Sequence, residues 1–183
     1  MRKRILVSSI VLALVLVLVV PLAVKAEVTD VQGNVSSTID FDVPLSNAIT
    51  LTPGTTSTTT DTITVSCSNT SWSVTATDAD ATTGGHMTAY ATTAAGYDTT
   101  SPEKLASAMS VIAASGPGAT GDTALLPTGG TILTGSQAVE LQGYTLTFSQ
   151  PVSYVDAILT GDGSDTEYPN TYRIVVTFTA STS

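Results

Sequence analysis

One stretch constrains the fold more than any other: Asp61 to Asp78, DTITVSCSNTSWSVTATD. Ile63, Val65 and Cys67 alternate with Thr62, Thr64 and Ser66. After Ser68-Asn69-Thr70-Ser71, Trp72, Val74 and Ala76 alternate with Ser73, Thr75 and Thr77. Alternation of period two on both sides of a short polar break predicts an antiparallel β-hairpin with one buried face. The chain's one tryptophan and one cysteine both fall on that face. The hairpin is therefore expected at the centre of the core, with Trp72 between sheets beside Cys67, Ile63 and one or more of Ile174, Val176 and Phe178.

The first 26 residues stand apart from the fold. Arg2, Lys3 and Arg4 precede an apolar run from Ile5 to Val20, Pro21 breaks it, and Val24-Lys25-Ala26 offers small residues at a cleavage position. This pattern predicts a signal peptide cleaved before Glu27. A retained membrane anchor is the alternative, because the run is close to the shortest length that spans a bilayer. Residues 27–183 then suit a single domain.

Charge narrows the function. Of six basic residues only Lys104 and Arg173 lie beyond position 26, against fifteen acidic ones. Such a chain repels nucleic acid and anionic lipid, so no nucleic-acid partner is expected, nor a membrane one after cleavage. Cys67 has no partner for an internal disulfide and reads as a small buried hydrophobe.

Further strands follow the same logic. Ile39, Phe41 and Val43 alternate with Asp40 and Asp42, and Ile49 and Leu51 form a short strand before Pro53-Gly54. Thr55 to Thr60 reads as an exposed hydroxyl loop. His86 to Ala91 reads as a strand. Ser101-Pro102-Glu103 starts one helical turn, followed by a strand from Ser107 to Ala113. Val139 and Leu141 are in one register and Tyr144, Leu146 and Phe148 in the other, which predicts a β-bulge at Gly143. Tyr172 to Ala180 alternates without a break. Short strands and frequent turns predict an all-β fold, an antiparallel β-sandwich of immunoglobulin-like or jelly-roll-like type. Its core is assigned to Ile63, Val65, Cys67, Trp72, Val74, Ile174, Val176 and Phe178.

Asn69-Thr70-Ser71-Trp72-Ser73-Val74-Thr75-Ala76 and Tyr172-Arg173-Ile174-Val175-Val176-Thr177-Phe178-Thr179-Ala180 together resemble WxL-type secreted cell-surface domains. They are also similar to the wider group of pilin-like β-sandwich surface proteins. Ser73-Val74 follows Trp72 where the family has x-Leu, and Phe178 stands at the family's second tryptophan. The resemblance implies a non-catalytic, surface-associated sandwich.

Candidate sites are few. A serine triad would rest on His86 alone, with no Gly-x-Ser-x-Gly elbow, so no enzyme is expected. One His and one Cys do not make a zinc site. Calcium is the candidate cofactor in an otherwise cofactor-free reading: Asp162, Asp165 and Glu167 share a glycine-containing loop, and Asp78 and Asp80 share another. Asn34-Val35-Ser36 and Asn69-Thr70-Ser71 are glycosylation sequons. The expected function is that of a secreted structural protein of the cell surface, a filament or surface-layer subunit whose partners are other copies of itself joined by strand edges. Residues 27–43 are either a strand donated to the next subunit or the first strand of their own sandwich. The alternative function is an adhesin or carbohydrate-binding module for a cell-surface glycan. Tyr90, Tyr97, Tyr154 and Tyr168 would serve as its platform.

Overall fold

Alternating Thr, Val and Ile faces with turn residues between them leave little scope for helix, and the computed structural model of residues 37–43 and 47–183 contains none. The segment 1–26, Asn34 and the first part of 27–43 lie outside these described residues. In order the strands are β1 (Ile39–Asp42), β2 (Thr56–Cys67), β3 (Trp72–Asp78), β4 (Thr88–Ala91), β5 (Gly96–Tyr97) and β6 (Ser110–Ala113). Then come β7 (Ala119–Gly121), β8 (Thr123–Leu125), β9 (Gly130–Gly135), β10 (Val139–Pro151), β11 (Thr171–Arg173) and β12 (Val176–Thr182). One sheet runs β1-β2-β10-β6-β8, a second β12-β3-β9-β7, and a small third β11-β4-β5. Every pairing is antiparallel. The protein is an all-β, sandwich-like fold in one compact unit, Ser36–Ser183.

The expected central hairpin does not form. β2 and β3 are consecutive and both bury their alternating apolar faces, yet β2 pairs with β1 and β10 while β3 pairs with β12 and β9. The Ser68–Ser71 link therefore crosses from one sheet to the other. Alternation specifies which face is buried, and a buried face is satisfied equally by a partner across the core.

Ile63, Val65, Cys67, Trp72 and Val74 are buried in one cluster with Leu133, Tyr144, Leu146 and others, while Ile174, Val176 and Phe178 are only partly buried against it. The reason is position: Val176 and Phe178 lie on β12, an edge strand, and Ile174 lies between β11 and β12. Trp72 is fixed by its neighbours. Its indole N–H donates to the Gln137 carbonyl at 2.9 Å, and the Tyr144 ring lies 6.0 Å away, tilted by 58°. Phe178 instead faces Phe148 edge-on at 6.4 Å.

Four local expectations change. The hydroxyl tract is strand, not loop: Thr56 to Thr60 pair with Thr147 to Pro151, and Ser57 is buried, where its Oγ accepts the Thr52 amide. β-branched threonine suits a ladder as well as valine does. The stretch at 101–103 makes no helical turn; the Asp98 carboxylate instead accepts the amides of Thr100 and Ser101 in an Asx turn. The bulge lies before Gly143, between Val139 and Gln142, with Leu141 at φ 47° and exposed. Finally the long terminal strand is two, β11 in the small sheet and β12 in the second, broken at Ile174-Val175. Ile49 and Leu51 pack against the core without joining a ladder.

Candidate interaction surfaces

The strand directions sort the loops into two poles. At one, Asn69 donates to the Ser183 carbonyl at 3.1 Å and to Ser37 Oγ at 3.3 Å, so both ends of the described chain meet the β2–β3 link. At the other pole gather the connections after β3, β5, β8 and β10.

Between the poles one edge is open. β1 pairs only with Thr64 to Cys67 of β2. Thr56 to Ile63 therefore have a ladder partner on the β10 side alone among the described residues. Below that edge lies a groove of about 280 Å³ whose lining includes Ile49, Thr59, Met109, Phe148, Val176 and Phe178. β12, at its far side, likewise pairs only with β3. Among the described residues two unpaired edges thus flank this groove. Ile39–Asp42 pairs with β2 of its own chain, and residues 27–36 of the same segment lie outside the described residues.

The calcium candidates do not assemble. Among the described residues no three of His, Cys, Asp and Glu gather as a metal site. Asp162 accepts both the amide and the hydroxyl of Ser164, which holds its carboxyl below the usual carboxylate range, and Asp165 accepts from Thr166. Asp78 accepts the Thr83 hydroxyl and the Gly85 amide, and Asp80 the Thr82 amide. These carboxylates close their own turns. Of the sequons, Asn34 lies outside the described residues, and the Asn69 side chain also accepts the Ser71 amide at 3.2 Å. His86 Nδ1 meets the Leu105 carbonyl at 2.8 Å. Cys67 is free and buried.

The four tyrosines split. Tyr90 is half-buried, with the Tyr97 ring edge-on at 4.9 Å and the Arg173 guanidinium 4.6 Å above it. Tyr154 and Tyr168 are exposed at the loop pole. The 69° edge contact packs Tyr90 and Tyr97 against each other, so the four do not form one row of open platforms. The structure singles out another tyrosine that the sequence placed only in a strand. Tyr172 donates to the Ala157 carbonyl at 3.1 Å, and burial, then the carboxylates of Glu103 and Asp156, push its phenol up to about 12. Burial raises Tyr97 and Tyr144 as well.

These raised values set an alkaline limit. The unfolded chain loses its phenolic protons near the ordinary value of 10.0, while the folded chain holds them longer. Stability is then complete below about pH 10 and falls as pH rises towards 12. The urea midpoint is expected to be lower at about pH 11 than at about pH 9, with a smaller drop in Tyr172→Phe. Equal midpoints at the two pH values would show that the phenols titrate freely in the folded state.

Compared with known proteins, the chain matches no family model, no curated protein and no solved structure.

Proposed function

We propose that the protein is a secreted, non-catalytic structural domain of the cell surface that assembles with copies of itself by adding strands at its open edges. One observation carries this reading: among the described residues, the outer edge of β2 from Thr56 to Ile63 has no ladder partner, and it lies above a groove lined in part by apolar side chains. Exposed strand edges are templates for pairing with another chain, and pockets beneath them accept alternate side chains. Because β1 occupies the last third of that edge, an added strand belongs beside Thr56 to Ile63. The N-terminal residues 27–36 of a neighbouring copy are the segment we assign to it.

Sedimentation of three chains tests this. The chain from Glu27 is expected to form polymers, favoured by salt because like-charged copies repel one another. A chain from Ser37 keeps β1 and stays monomeric, and the 27–36 peptide binds to it. Thr58→Lys with Thr60→Lys, both at exposed positions, charges the edge and dissolves the polymers without lowering the melting temperature. A chain from Glu27 that is monomeric at millimolar concentration defeats the proposal. A glycan-binding monomer, the second reading favoured by exposed Tyr154 and Tyr168, passes through the same assay unchanged.

A further inference from the structure

At the loop pole a second groove, of about 310 Å³, is walled by Leu51, Pro53, Leu105, Val152, Ile158 and Leu159. Ile158 is 84% exposed, and Tyr154 and Val155 beside it are 84% and 85% exposed. So much bare aliphatic and aromatic surface in one loop is what a docking site presents. The groove is also anionic. Asp156 lies in its lining, and its two oxygens are held by the amides of Ala106 at 2.8 Å and Ser153 at 2.6 Å, so the charge is anchored in place. Glu103 lies next to the same groove, for its carbonyl accepts the amide of Ala89, the ladder partner of Tyr172 in the lining, and its carboxylate meets no cation among the described residues.

Both basic residues of the domain point elsewhere. The Lys104 ammonium lies over Gly84, in the loop after β3, and Arg173 stacks on Tyr90. An apolar trough with uncompensated carboxylates at its rim matches one type of side chain, a long aliphatic stem ending in a cation. A second copy is a poor source, because beyond position 26 it carries only Lys104 and Arg173, and Arg173 is stacked on Tyr90. We propose that this groove docks a lysine side chain, flanked by apolar residues, presented by a different protein. The stem lies along Leu51, Pro53 and Ile158 and the ammonium reaches Asp156 and Glu103. This interaction is separate from self-association at β2, on which it does not depend.

Isothermal titration of the chain from Glu27 with a short peptide of alternating leucine and lysine tests it. A peptide with glutamine at every lysine is the comparison. The lysine peptide is expected to bind at least tenfold more tightly than the glutamine peptide. Ile158→Ser weakens it about tenfold and Glu103→Gln severalfold, while Leu125→Ser, at an exposed apolar position on β8, changes nothing. Equal affinity for both peptides overturns the proposal, as does equal loss in Ile158→Ser and Leu125→Ser, which marks diffuse attraction to an acidic surface. Spermidine displacing the peptide at equal concentration overturns it in favour of a free polyamine. A dimer of the chain itself that Ile158→Ser abolishes overturns it in favour of a second copy.

Discussion

Replacing Trp72 with alanine is expected to cost about 3–5 kcal/mol of folding stability, the range for emptying a large aromatic site. The side chain is 2% exposed on a strand paired on both sides, with β12 and β9. Its removal opens a void beside Tyr144 and leaves the Gln137 carbonyl without the indole donor. Surrounding ladders hold the walls apart, so collapse recovers little. At roughly 2–4 °C per kcal/mol for a domain of this size, the melting temperature falls by about 6–20 °C. Tyr154→Ala, at a site 84% exposed, is the matched control and shifts it by a degree or two. A Trp72→Ala melting curve that overlays the wild type would mean that β3 turns its other face inward.

That prediction rests on the part of the fold that was legible in sequence, namely which side of each strand is buried. Ile63, Val65 and Cys67, like Trp72, Val74 and Ala76, declare it by alternation, since a period of two needs only near neighbours. Partnership is a different matter. β2 finds β10, and β3 finds β12, across about a hundred residues or fewer of intervening chain, and no local pattern marks whether two consecutive strands share a sheet or face each other across the core. The same reason hides the break at Ile174-Val175, where unbroken alternation continues through a change of sheet. Thr56 to Thr60 misleads in another way: hydroxyls suggest solvent, while β-branching suits the ladder it joins. The groove at the loop pole was invisible for a simpler reason. Its walls come from positions 51, 53, 105, 152, 156–159 and 170–172, separate segments whose contributions are ordinary when read one at a time.

The tightest of these unseen contacts supplies the second large effect. Gly135 ends β9 opposite Trp72 on β3 and Ala119 on β7. A Cβ placed on it would lie 1.9 Å from Cε2 and 2.1 Å from Nε1 of the indole. The ring is flat and stiff, tethered by its N–H to Gln137 and with the Tyr144 ring 6.0 Å off. It has to move bodily to admit even a methyl group. Gly135→Ala is therefore expected to destabilise by about 1–3 kcal/mol, the cost of overpacking a filled core. As the chain's one tryptophan, Trp72 also reports its own displacement by a shift in fluorescence emission. The decisive measurement is the double variant. If the indole is the obstacle, Gly135→Ala costs almost nothing once Trp72 is alanine, so the two losses fall short of adding, by about the full cost of the glycine change. Losses that add would place the clash with the backbone of β7 or β3, and the close fit of Gly135 to the indole would then have no part in holding the two strands together.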